Sequence, residues 1–220
     1  MVELSGNIPF LWRLSAESND GFCMVSMVVP FESSDDDEEE RRDLTIETSV
    51  VSFSADSSRA ERDEMLEWNQ DDMSLFLKLV TCQQQGEQTP IAESVRVDLT
   101  DPEVIEIIHV VAAAGFGTAY SSYGVLQSSE GRYPPHLCDV GSFAALNTVD
   151  GFKRCVVVDT DGDDVIVVLL DEVDTTLAPG VASLEYDRLS RHDLLMVKYV
   201  DLLHPDFAGG LVRPRNATLH

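Results

Sequence analysis

The densest chemistry-bearing run in the chain is Asp35, Asp36, Asp37, Glu38, Glu39 and Glu40. Seven of the nine residues from Glu32 to Glu40 are acidic. Like charges at this density repel and stay hydrated, so residues 32–43 are expected to form an exposed loop. Six consecutive carboxylates also make an anionic strip for Lys/Arg-rich proteins, with fast, salt-sensitive association. The bland alternative is a solvated loop that only keeps the protein soluble.

Other candidates give less. Asp159-Thr160-Asp161-Gly162-Asp163-Asp164 resembles the start of a calcium loop, but glycine stands fourth and Leu170 twelfth, where an EF-hand needs glycine sixth and glutamate twelfth. Asp-Gly between two apolar runs reads better as a hairpin turn. His192-Asp193 has the order of an oriented imidazole, with no nucleophile elbow beside it, so a solvated turn is expected. Ala114-Gly115-Phe116-Gly117-Thr118 lacks the spacing of a phosphate loop and reads as a tight turn. The five histidines are scattered and no CxxC occurs, so no metal site and no cofactor are expected. Cys23, Cys82, Cys138 and Cys155 read as free, mostly buried thiols.

Forty acids against fifteen bases give the 220-residue chain a net charge of −25. Such a surface repels phosphate backbones and anionic headgroups, which argues against direct nucleic-acid or membrane-surface binding. The charge is uneven: residues 1–125 carry 25 acids and 7 bases, residues 126–220 carry 15 and 8. An apolar content of 44% is enough for a real core. No run approaches 18 apolar residues, and Met1–Phe10 has no basic segment before an apolar one. The expectation is therefore an intracellular chain.

The elements that must position these groups read mostly as strands. Residues 8–14, 22–31 and 44–53 are apolar or alternating runs. Residues 73–82 and 91–99 read as strands on either side of a Gly86/Pro90 turn. Residues 54–72 read as a short helix or a loop. Residues 103–114 fit a helix through Val104, Ile107, Ile108 and Val111, or a strand through β-branched enrichment. The strand is favoured because Gly115 and Gly117 break the pattern. Residues 118–126 add a further candidate. Residues 152–159 and 164–173 flank the Asp-Gly turn, and 181–188 with 194–203 suggest another strand pair, the last segment also fitting a helix. The expected fold is all-β: a jelly-roll or sandwich-like domain over 1–126, a linker at 127–142, a second β-rich unit at 143–207 and a tail at 208–220. The Val/Ile/Leu-rich stretches 104–113 and 165–170 suggest burial between the two halves or in a homo-oligomer.

By order and spacing, residues 8–126 resemble the core of the nucleoplasmin/nucleophosmin histone chaperones. Pro9-Phe10-Leu11-Trp12-Arg13-Leu14 stands where that family opens with an aromatic strand, and Asp35–Glu40 where it has an acidic loop. Arg42-Asp43-Leu44-Thr45-Ile46-Glu47 and Leu75-Phe76-Leu77-Lys78-Leu79 resemble later strands. Gly86-Glu87-Gln88-Thr89-Pro90-Ile91-Ala92 resembles the next turn and strand, and Tyr123-Gly124 the close of the last. The resemblance implies a β-barrel-like jelly roll, pentameric rings, histone binding in the nucleus through Asp35–Glu40, and no catalysis or cofactor. The last 95 residues have no counterpart in the pattern. Two other classes stand beside this reading: a structural or assembly β-domain whose acidity serves solubility, and an enzyme with an unrecognised site.

Overall fold

The structure, a computed structural model, describes residues 2–4, 10–15, 21–30, 43–53, 64–84, 95–129, 138–177 and 186–209. The protein is mostly β, with several sheets and two α-helices among the described residues. It divides into two compact units. Unit 1 holds residues 1–76 and 89–116, and unit 2 holds residues 77–88 and 117–220.

Unit 1 contains β1 (Val2–Leu4), β2 (Leu11–Leu14), β3 (Phe22–Val29), β4 (Leu44–Phe53), β5 (Glu64–Glu67), the start of α1 (Gln70–Gln84), β6 (Val95–Val97) and α2 (Pro102–Phe116). Four strands form an antiparallel sheet in the order β4-β3-β2-β5, and β1 pairs with β6. One face of the sheet buries Phe10, just before β2, with Trp12, Val25 and Met27. Phe10, Trp12, Trp68, Phe76 and Phe116 make a chain of edge and stacked ring contacts. Sequence periodicity anticipates β2, β3 and β4. The expected exposed loop at 32–42 lies outside the described residues, apart from Asp43 at its end, which is exposed.

Two expected strands are helices. Residues 73–82 lie in α1, whose start is set by a reciprocal cap. The Asn69 side chain accepts the Asp71 and Asp72 N–H groups at 2.8 and 2.9 Å, and Asp72 Oδ2 accepts the Asn69 N–H at 3.0 Å. The buried positions are Leu75, Phe76, Leu79 and Val80, a helical stripe, although Leu75, Leu77 and Leu79 also alternate as a strand would. Leu75-Phe76-Leu77-Lys78-Leu79, which resembles a chaperone strand, is thus helical. Asn69→Ala should cost about 1 kcal/mol, with faster amide exchange in the first turn of α1 as the readout.

Residues 103–114 lie in α2. Asp101 accepts the Glu103 N–H on Oδ1 at 2.9 Å and the Ile105 N–H on its carbonyl at 2.9 Å, with Pro102 in the first helical position. Val104, Ile107, Ile108, Val110, Val111, Ala112 and Ala113 are buried, so tertiary burial outweighs the β-branched propensity. Gly115 does not end the helix; it lies inside it. Of the expected strand 91–99, residues 95–99 are described: β6 takes Val95–Val97, and Leu99 lies in a turn. Residues 54–63 lie outside the described residues, and 64–67 are a strand, neither the short helix nor the loop expected for 54–72.

Unit 2 contains β7 (Ala119–Ser121), β8 (Phe143–Thr148), β9 (Gly151–Asp161), β10 (Asp164–Leu169), β11 (Val173–Asp174), β12 (Arg188–Leu189), β13 (Leu194–Lys198) and β14 (Leu202–Leu203). Six strands form one sheet in the order β14-β8-β9-β10-β13-β7, antiparallel except for the parallel β13–β7 pair. Its core includes Leu146, Cys155, Val157, Val165, Val167, Leu169, Leu195 and Leu202. The Asp-Gly hairpin forms as expected: Asp161 pairs with Asp164, and Gly162 sits in the loop with φ of 63°. The expected pairing of 181–188 with 194–203 does not form among the described residues. Instead β12 pairs with β11, β13 with β10 and β7, and β14 with β8.

The units divide at a different place from the compositional linker at 127–142. Gln127 donates to the Asn147 carbonyl, Val149 to the Val125 carbonyl, and Gly141 to the Val157 carbonyl, so the described parts of that stretch are bonded into unit 2. These pairings do not by themselves make a jelly roll. No helix among the described residues is long and apolar enough to cross a membrane.

Candidate functional site

The acidic run Asp35, Asp36, Asp37, Glu38, Glu39 and Glu40 lies outside the described residues. The remaining sequence candidates have structural settings. Asp159–Asp164 shapes the β9–β10 hairpin. In the His192-Asp193 pair, Asp193 Oδ2 accepts the Ser190 N–H at 2.7 Å and so braces a turn. Burial pushes the Asp193 carboxyl up from its ordinary range. His192 has φ of 73°, and its N–H donates to the Leu169 carbonyl at 2.8 Å. Ala114 to Phe116 form the last turn of α2. The four cysteines are free; Cys82 is exposed and the other three are buried. Burial pushes the Cys138 thiol up to about 11 and the Cys155 thiol up further, so both stay protonated and inert.

The feature with binding geometry is one that sequence reading misses. An open groove of about 790 Å³ lies in unit 2. Its carboxylates come from three places. Asp150 stands on the β8–β9 turn, Asp171, Glu172 and Asp174 on the segment after β10, and Asp187 just before β12. Lys153 and Arg188 are the lining cations, and Phe152 and Thr176 complete the wall. Five carboxylates thus face two basic side chains.

Hydrogen bonds hold this wall in place. Arg154 Nε donates to both Asp171 oxygens, at 3.0 and 2.8 Å, and the Arg154 backbone N–H reaches Oδ2 at 2.9 Å. Burial acts to raise the Asp171 carboxyl, but the Arg154 side chain, its backbone N–H and the Arg154 and Lys153 charges together hold it below the ordinary range. Lys153 Nζ lies 2.7 Å from Asp150 Oδ2, which also accepts the Asp174 N–H at 3.1 Å. These bonds, the lysine's first, lower the Asp150 carboxyl. Glu172 pairs with Arg188 at the exposed rim, where an ion pair contributes little to stability.

Two carboxylates are left over. Asp174 turns one oxygen to the Thr176 N–H and hydroxyl, at 3.0 and 2.5 Å, and has no cationic partner among the described residues. Asp187 has none there either. Beside them, Phe152 and Phe207 lie 5.7 Å apart between ring centroids and are 46% and 45% exposed. The groove therefore offers net negative charge next to accessible aromatic surface. That combination suits a guanidinium or ammonium group carried on an apolar stem. The signal in the sequence was faint: Asp171-Glu172-Val173-Asp174 and Asp187-Arg188 are short acidic or mixed clusters at strand ends.

No protein-family model matches the chain, and no curated protein matches it.

Proposed function

We propose that this protein binds Lys/Arg-rich protein segments and that the unit 2 groove is one of its docking points. The observation that carries the reading is the pair Asp174 and Asp187, carboxylates without cationic partners among the described residues, beside the exposed Phe152 ring. The overall charge of −25 supports it by steering cations toward the surface. The run Asp35–Glu40 supplies a second anionic strip in the same reading. Core histones are the partner class that the chaperone resemblance names, and they serve as the test ligand.

The experiment titrates core histones, and a labelled Lys/Arg-rich peptide, against three proteins: wild type, the double variant Asp174→Asn/Asp187→Asn, and a variant with all six residues of Asp35–Glu40 changed to Ser or Asn. At about 0.1 M salt the groove variant should bind roughly five- to tenfold more weakly, and the strip variant should lose mainly on-rate. Wild-type binding should fall steeply toward about 1 M salt, where screening shortens to about 3 Å. Equal affinities for all three proteins at low salt would leave acidity with solubility as its only role.

A further inference from the structure

The register of β4 on β3 slips in the middle of the strand. Met24 pairs with Val51 and Ser26 with Glu47, so Val25 alone stands opposite Thr48, Ser49 and Val50. A bulge of this kind strips backbone groups of their ladder partners, and each needs another. Side chains supply them. The Thr48 hydroxyl donates to the Val25 carbonyl at 2.7 Å and accepts the Val50 N–H at 3.2 Å. The Ser49 N–H goes to an imidazole sixty residues away: it donates to His109 Nδ1, on α2, at 3.1 Å. The Ser49 hydroxyl lies 3.1 Å from the same nitrogen.

A backbone N–H can only donate, so Nδ1 must present its lone pair, and the ring proton of the neutral imidazole sits on Nε2. We infer that His109 is a proton-controlled latch on the Ser49 N–H, accepting it from the β4 bulge when neutral and giving it up when Nδ1 takes a proton.

Protonation turns the acceptor into a donor that faces the Ser49 N–H, another donor, and leaves the Ser49 hydroxyl oxygen, 3.1 Å away, to accept from it. The latched form disfavours the charged ring, so it binds the proton less readily than the opened form. The contact is therefore complete above the ordinary imidazole range near pH 6.5 and is lost as pH falls through and below it. The carboxylates on these two elements are Glu103 and Glu106 on α2, the latter one helical turn before His109, and Glu47 on β4, two residues before Ser49. β3, which also packs against α2, carries the buried Cys23 thiol as its one ionisable side chain. Glu47, Glu103 and Glu106 favour the charged imidazole, so release comes from the lost acceptor and not from charge repulsion. Among the described residues β4 is an edge strand of its sheet. What mild acid frees is the Ser49 N–H of the β4 bulge.

The test uses the full chain and follows Ser49 amide exchange by NMR from about pH 7.5 to about pH 5.5, a window around the imidazole range. After correction for intrinsic rates, protection should fall roughly five- to tenfold, the worth of one hydrogen bond. The fall should share its midpoint with the His109 ring titration, read from the ring's own nitrogen resonances. His109→Asn keeps an acceptor near the Nδ1 position and cannot titrate, so its exchange should show no such fall. Three results would each overturn the latch: Nδ1 protonated at about pH 7.5, a midpoint that does not follow His109, or the same fall in His109→Asn. If the variant does not fold, the two wild-type readouts decide alone.

Discussion

Replacing Trp12 by alanine is expected to destabilise unit 1 by about 4 kcal/mol, near the middle of the range for deleting a large buried side chain. Trp12 is 1% exposed and stacks on Trp68 with ring centroids 4.8 Å apart. It meets Phe116 edge-on at 5.6 Å, and its Nε1 donates to Asp72 Oδ2 at 3.1 Å. Alanine removes both aromatic contacts and opens a cavity. It also takes one donor from a carboxylate that burial already pushes above its ordinary range, against the Asn69 N–H and Trp12 bonds that lower it. A raised carboxyl binds its proton more readily folded than unfolded, so stability is recovered as pH falls. The deficit should be smaller near pH 5 than near pH 8. Trp12→Phe keeps an aromatic ring in the site and loses the N–H and part of the ring area, so a smaller cost of about 1–2 kcal/mol is expected. The chain has two tryptophans. With Trp12 gone, Trp68 fluorescence during urea unfolding reports unit 1 alone. A loss for alanine no larger than for phenylalanine would show that the ring contacts contribute little.

The second large effect is expected from Arg154→Met in unit 2, about 2 kcal/mol at neutral pH, below the range for breaking a fully buried pair by removing one partner. The Arg154 and Asp171 side chains are 27% and 29% exposed, so the lone Asp171 carboxylate is left half-buried without its cation. The wild-type pair contributes its stability above the ordinary carboxyl value near 3.9 and loses it as pH falls through the lower folded value. In the variant this dependence weakens. Burial is then opposed only by the Arg154 backbone N–H and the Lys153 charge, so the carboxyl rises and acid costs the folded form less than it costs wild type. The gap in melting temperature between wild type and variant should therefore narrow from about pH 7 to about pH 4.5. A double variant, Arg154→Met/Asp171→Leu, should regain much of the loss because no charge is left buried. A gap independent of pH would mean that Arg154 acts through packing alone. Because Asp171 lines the groove, the single variant should also disturb binding, whereas Asp174→Asn/Asp187→Asn should weaken it without this cost in stability.

The amino-acid sequence by itself determines the features that rest on neighbours along the chain. A nearly continuous apolar run marks β3 and alternation marks the start of β4, and the Asp161-Gly162 pair marks its hairpin because a glycine in a two-residue loop suits the strand twist. The acidic charge and the free cysteines are likewise readable without coordinates. Residues 73–82 and 103–114 show where that reading ends. Their apolar residues fit a period of two as well as 3.6. The choice falls to the caps at Asn69 and Asp101, and to burial of Leu79, Ile108 and Val111 against partners far away in sequence. The groove belongs wholly to tertiary structure: Asp150, Asp174 and Asp187 are ordinary polar residues at strand ends until β9, β11 and β12 bring them together. The same holds for His109 and Ser49, which meet only because α2 packs on β4. Local backbone preferences act over a few residues, whereas a shared electrostatic field or a hydrogen bond across sixty residues exists only after the chain has folded.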